Sequence, residues 1–276
     1  MANGAEIIIA TSYAKSSKVY FMAGQSNMQG RNVDGTSLTS RTNDATIYEY
    51  ENSNWGVRKT FIERYPDGGV IANFGPDVGS LRTLRAAGEL DNYAIRYGVG
   101  GTSVVSFLPE SSRELDPPNV LPGGDVDQSV NILLFFNGAT QDMLMRHFRS
   151  VGEAQFIWYQ GAEDSKNISG FQPALANDYG THLTRLLAYL KSGVNELKGS
   201  SPVTIIRSPD WNANTPDSKP YQDTVRTAQV AVADADATAQ WLTSDINQSV
   251  TTTWEDASHI DAASQERLGI DLAAIV

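Results

Sequence analysis

Five short runs rich in β-branched and aromatic residues recur along the chain: Lys18–Met22, Tyr93–Tyr97, Ala154–Tyr159, Val203–Arg207 and Ala239–Thr243. Longer stretches with helical periodicity lie between them. Tyr179, Leu183, Leu186, Leu187 and Leu190 fall on one helical face, and Tyr221, Val225, Ala228 and Val232 on another. Pro76 suits the first turn of a helix carrying Val78, Leu81 and Leu84, and Ala262 to Ile275 reads as a last helix. Strands alternating with helices predict an α/β fold with a mostly parallel five-stranded sheet, covered on both faces. Ile132–Phe136 can be strand or buried helix, and periodicity does not choose. Ile47 to Tyr65 reads as extended structure with a turn near Asn52-Ser53-Asn54. Residues 109–126, with Pro117-Pro118 and Gly123-Gly124, form a long loop and a candidate rim for a site.

Composition narrows the chemistry. A chain of 276 residues can bury its own core, on the order of three-quarters of the surface its unfolded form exposes. With no repeat or linker, the expectation is a short lead over 1–16 and one domain over 17–276. A net charge of −11 argues against a nucleic-acid partner, because phosphate binding rests on cationic contacts. There is no cysteine, which removes disulfides, thiol catalysis and Cys-ligated zinc together. Three scattered histidines predict no metal site, and Gly98–Gly101 lacks the glycine spacing of a dinucleotide site, so no cofactor is expected. The apolar run Ile7–Ala10 is too short for a signal-peptide core or a bilayer span. No membrane insertion is expected, and the compartment stays open between the cytoplasm and a virion or extracellular site reached by another route.

In open parallel sheets, ligands bind beyond the C-terminal ends of the strands. Gly24-Gln25-Ser26-Asn27-Met28 follows the first run, Gly98 to Ser103 the second, and Gln160-Gly161-Ala162-Glu163-Asp164 the third. Ser26, beside a glycine that permits a sharp turn, is a candidate nucleophile and needs a base. His147 and His182 sit in helical patterns and read as structural. His259 sits in an irregular stretch before the last helix, with carboxylates at 255, 256 and 261 that could orient an imidazole.

Taken together, four ordered blocks carry a resemblance: Gly24–Met28 with Gly30-Arg31, Gly100–Ser103, Trp158–Gly161 with Asp164, and Asp256–His259. This set resembles the carbohydrate esterases of the sialate O-acetylesterase and acetylxylan esterase (family 6) type, within the flavodoxin-like SGNH-hydrolase superfamily. Asn54-Trp55, Gly75-Pro76, Arg226–Gln229 and Ser244-Asp245 are smaller echoes, and the resemblance runs from about 17 to 273. It implies a three-layer α/β/α sandwich and a serine esterase that removes O-acetyl groups from carbohydrate through an acetyl-enzyme. Ser26, Asp256 and His259 would be catalytic. Ser26, Gly101 and Gln160 would form the oxyanion hole, with Gly100, Asn27 and Glu163 as support. The family's third block carries glutamate directly after its glycine; Ala162 stands here, with Glu163 following, which moves the acidic role toward Asp256.

Blander readings stand beside these. Ser26 could be a helix N-cap and Gly100-Gly101 a plain turn. Trp158 reads as a buried strand residue, whereas Trp55, Trp211 and Trp254 could stack on sugar or anchor loops. Asp164 and Asp261 read as hydrogen-bonding supports. The competing functions are a lipid or aryl ester hydrolase on the same fold, a phage tail-associated polysaccharide deacetylase, and a glycan-binding domain without catalysis.

Overall fold

A computed structural model describes residues 15–30, 48–52, 61–64, 74–89, 91–113, 121, 125–147, 149–166, 174–210, 219–245 and 259–276. The five expected strands are β1 (Lys15–Gly24), β4 (Asn92–Gly98), β5 (Arg149–Tyr159), β6 (Val203–Arg207) and β7 (Ala239–Thr243). They lie side by side as β4-β1-β5-β6-β7, each parallel to its neighbours. The extended region near Ile47–Tyr65 supplies β2 (Tyr48–Asn52) and β3 (Phe61–Arg64). β2 runs parallel to β4 and β3 antiparallel to β2, which widens the sheet to seven strands in the order β3-β2-β4-β1-β5-β6-β7. The turn foreseen at 52–54 lies, beyond Asn52, outside the described residues.

Side-chain alternation sorts the sheet into two buried faces. Val19, Phe21 and Ala23 of β1, Tyr93, Ile95 and Tyr97 of β4, Phe156 and Trp158 of β5, and Val203 and Ile205 of β6 share one core. On that side lie α3 (Ser129–His147), α5 (Tyr179–Gly193) and α6 (Lys219–Ala235). Tyr20, Met22, Ala94, Ile157, Tyr159 and Ile206 point the other way, against α2 (Pro76–Ala86) and α7 (Ala262–Ala273) through Leu81, Leu84, Leu268 and Leu272. Three layers follow directly from strands that are apolar on both sides.

The helices form where the pattern placed them. Gly75 caps α2 and Pro76 opens it, where a missing N–H costs nothing. All five apolar positions of the α5 stripe are buried. Ile132–Phe136, left undecided by periodicity, lies inside α3, because Phe135, Phe136, Ala139 and Met143 continue an i, i+3, i+4 stripe against the sheet. Trp158 is fully buried: its Nε1–H donates to Tyr179 Oη at 3.1 Å and Phe107 meets its ring edge-on at 5.3 Å. Among the described residues, no helix is long and apolar enough to cross a membrane.

Candidate active site

Register brings the first three blocks together. Gly24, the last residue of β1, pairs with Gly98 at the end of β4 and with Tyr159 at the end of β5. Three loops therefore leave the sheet side by side at one edge. Val99 N–H donates to Gly24 O at 3.0 Å and Gln25 N–H to Tyr159 O at 3.2 Å, so the chain is pinned on both sides as it turns. The turn is tight: a Cβ on Gly24 would lie 1.9 Å from Tyr159 O, too close for any other residue.

Ser26 is the first residue of a one-turn helix, α1 (Ser26–Gln29), whose N-cap is Gln25. Ser26 is therefore not the cap, and no side chain caps α1. The Gln25 side chain instead reaches sideways, and its Oε1 accepts from Gly161 N–H and Glu163 N–H, each at 3.2 Å. From below, Arg96 of β4 donates to the carbonyls of Met28 and Gln29 at 3.0 and 2.5 Å. Its Nε lies 3.3 Å from Asp77 of α2, and both side chains are sealed from solvent, at 1% and 0% exposure. A cation at the carbonyl end of this short helix matches the sign of its dipole.

The fourth block comes from the far end of the chain. Ile260 N–H donates to Asn27 Oδ1 at 3.3 Å, and Gln265 of α7 donates to Asn27 O at 2.8 Å. Each of these bonds joins the residue after Ser26 to the segment that follows His259. Ser26 and His259 are 5% and 7% exposed. Asp261 caps α7, accepting from Ser264 N–H at 2.9 Å. Asp256 lies outside the described residues, as do Arg31, Trp55, Trp211 and Trp254. His182 is buried within α5, and His147 ends α3, as the helical patterns indicated.

Around Gly101 the backbone is held from two sides. Ser103 N–H, Ser103 Oγ–H and Ser106 Oγ–H all donate to Asp125 Oδ2, at 2.8, 2.6 and 2.6 Å. Val104 N–H donates to both oxygens of Asp164, at 3.2 and 3.1 Å. Gly101 itself adopts φ +67° and is exposed, with open space where a Cβ would stand. Asp125 belongs to the Pro- and Gly-rich stretch expected to form a rim; Pro117, Pro118, Gly123 and Gly124 lie outside the described residues.

Gln160 is 1% exposed, and its Nε2 donates to Thr102 O at 2.9 Å and to Asp164 Oδ2. Tyr179 Oη–H faces both Gln160 oxygens, Oε1 at 3.1 Å and the backbone carbonyl at 3.0 Å. That carbonyl also accepts from Gln229 Nε2 at 2.5 Å and Ser208 Oγ at 3.2 Å. Burial pushes the Asp164 carboxyl up from 3.8 to about 8; bonds from Gln160 and Val104 oppose the shift, and Asp125 and Glu163 add to it. Ala162 is buried, and the neighbouring Glu163 pairs its carboxylate with Lys166. Further along the edge, Asp245 bridges Arg226 and Arg207, and these hold its carboxyl below the ordinary range although burial pulls the other way.

Sequence reasoning missed Arg96, Asp77 and Asp125, and it named Gln25 only as a member of the first block, without its bonds to Gly161 and Glu163. Arg96 did leave a signal: it is a cation in the middle of the otherwise apolar run Tyr93–Tyr97.

The sandwich thus gathers the first three blocks, with the segment that follows His259 bonded to the first, at the C-terminal end of its sheet. The sequence model of the family described as "Carbohydrate esterase, sialic acid-specific acetylesterase" matches residues 16–276, and the chain belongs to that family. It is therefore a carboxylic ester hydrolase of a family that O-deacetylates sugars. No curated protein sequence matches the chain. Solved structures that share its fold include a protein of Arabidopsis thaliana, 16% identical at a TM-score of 0.61, with 94% of this chain and 97% of that one covered. A carbohydrate acetylesterase of Xanthomonas citri is 15% identical at a TM-score of 0.61, covering 92% of this chain and 55% of its own. NanS is 10% identical at a TM-score of 0.56, over 94% and 95%.

Proposed function

We propose that the protein is a serine esterase that removes acetyl groups from O-acetylated carbohydrate through an acetyl-enzyme at Ser26. The observation that carries this reading is the bond from Ile260 N–H to Asn27 Oδ1, which ties the nucleophile turn to the segment that follows the base. Ser26 Oγ attacks the acetyl carbonyl while His259 takes its proton. His259 then protonates the departing sugar oxygen, and afterwards takes a proton from the water that frees acetate. Asp256, three residues before His259, orients the imidazole and stabilises its charged form. Glu163 is poorly suited to that task, being paired with Lys166.

The developing oxyanion meets the backbone N–H of Ser26 and of Gly101, with the Gln160 amide as third donor. One Nε2 hydrogen of Gln160 is fixed by Asp164; the other, resting on Thr102 O, is the one offered to the oxyanion. A charged acceptor makes a stronger bond than a neutral carbonyl, so the exchange favours the transition state. Polysaccharide esters and sialic-acid-type sugars are the substrates to screen, and residues 17–276 act as one catalytic unit.

The test is acetate release from an activated aryl acetate by the wild type and by Ser26→Ala. Turnover in the wild type with a loss of several orders of magnitude in the variant is expected, on the scale of about 10⁶ seen when a serine nucleophile is removed. A folded wild type indistinguishable from Ser26→Ala would refute the mechanism. A panel of acetylated glycans then identifies the sugar.

A further inference from the structure

The Asp164 carboxyl takes no part in the acyl-transfer steps, yet it is fully buried where two of the site's loops meet. We propose that Asp164 is a positioning residue for deacetylation, holding the Gly100–Gly101 loop and the Gln160 amide in the geometry that receives the oxyanion. The inference rests on the serine-esterase reading and adds a residue to it.

Three contacts carry it. Asp164 accepts from Val104 N–H with both oxygens, fixing the backbone three residues after Gly101. It accepts from Gln160 Nε2, so the same carboxyl that fixes the loop also sets the rotation of the amide. Before the oxyanion forms, Gln160 also donates to Thr102 O at 2.9 Å, one residue after Gly101, which keeps the amide beside that loop. On the far side, Asp125 takes Ser103 N–H, so the successive N–H groups of Ser103 and Val104 are drawn to two carboxyls from different parts of the chain. The segment behind Gly101 is clamped between them.

A carboxyl at this depth is costly for the fold. It is sealed from solvent and faces the charges of Asp125 and Glu163, an environment that opposes its ionised form. An apolar side chain in a buried place avoids that cost; what it cannot do is accept from a backbone N–H and a side-chain amide at once. A group kept against its own desolvation, bonded to the Gln160 amide and to the backbone three residues after Gly101, is explained by the geometry it imposes on that donor and that loop.

The experiment is steady-state hydrolysis of an aryl acetate by Asp164→Ala and Asp164→Asn, with thermal melts of each. Asp164→Ala should lower kcat by about 10²-fold, the scale of one lost or displaced oxyanion donor, with KM within about twofold. Asp164→Asn should fall between it and the wild type, since the amide oxygen still accepts. Phosphonylation of Ser26 by an organophosphonate, whose phosphoryl oxygen takes the oxyanion's place as the tetrahedral adduct forms, should slow in parallel. If Asp164→Ala does not fold, Asp164→Asn decides alone. Folded variants with kcat unchanged, or with a loss confined to KM or to the melting temperature, overturn the positioning role and leave the esterase mechanism standing. Turnover that survives Ser26→Ala overturns both.

Discussion

Replacing Arg96 by Met tests whether the nucleophile turn is held by a buried charge. Arg96 and Asp77 are 1% and 0% exposed, with Nε and Oδ2 3.3 Å apart. Met keeps most of the length of the side chain and removes the charge. The Asp77 carboxyl then loses the Arg96 guanidinium, and the Met28 and Gln29 carbonyls lose the donors that met them at 3.0 and 2.5 Å. Breaking a buried pair from one side costs about 3–5 kcal/mol, and that figure already contains the lost hydrogen bonds, because the guanidinium is one group. Against a total stability of about 5–15 kcal/mol, the loss is large but survivable. For a chain of this size the melting midpoint should fall by roughly 10 °C. Urea unfolding followed by tryptophan fluorescence measures the loss for Arg96→Met, for Asp77→Asn and for the double variant. The double variant should lose less than the two singles combined, since both singles remove the same ion pair. A loss below about 1 kcal/mol for Arg96→Met, or strict additivity in the cycle, would refute the account.

The acidic partner of His259 is tested by a pair of substitutions: Asp256→Asn should lower kcat by about 10⁴-fold, as when a triad carboxylate becomes an amide, while Glu163→Gln stays within about threefold. The reverse order, read in the same aryl acetate assay, would move the acid to the third block. Asp164 also predicts a pH dependence of stability. Its folded pKa, about 8, lies above the ordinary 3.8, so between the two the unfolded chain binds fewer protons. The stabilisation it contributes is fully present below the ordinary value, is lost as pH rises toward about 8, and is flat beyond. Urea midpoints from about pH 5 to about pH 8 should fall more steeply for the wild type than for Asp164→Asn, and parallel profiles would contradict the assignment.

Most of the fold was legible because the strands of the central block are short β-branched or aromatic runs, most of them buried on both sides, and such runs have few alternatives. Val203–Arg207 and Ala239–Thr243 form strands over the very residues the pattern marked. The β2–β3 pair read only as extended structure, since Tyr48–Asn52 mixes apolar and charged residues and its place beside β4 is a long-range pairing. Ile132–Phe136 stayed ambiguous because five consecutive apolar residues fit either period; the stripe continued by Ala139 and Met143 is what makes it helical. At the site, the blocks were visible as local clusters of Gly, Ser and Gln. Their supports were not, because Asp77 meets Arg96, and Asp125 meets Ser103, across distances in sequence that no local pattern spans.

The composition of the site's framework follows from the reaction it surrounds. Gln25, Asn27, Gln160, Gln229 and Gln265 are all 4% exposed or less, and each bonds to backbone of a loop or helix end at the catalytic edge. Loop tips carry backbone N–H and C=O groups that no sheet or helix satisfies, and burying them unpaired costs about 1–3 kcal/mol each. A side-chain amide can meet both kinds of group, since it donates and accepts from one planar head. It does so without adding charge close to where an oxyanion must form, and without a protonation state that pH can change. Carboxylates doing the same work at every position would raise the energy of a negative transition state; cations would hold the acetate product. Asp125 and Asp164 accept from N–H groups behind Gly101 and so spend acceptor capacity on the loop. On the proposed mechanism, side-chain amides that knit the loops together hold the oxyanion donors in place without adding charge beside them. That is the condition under which preorganised N–H groups act most strongly.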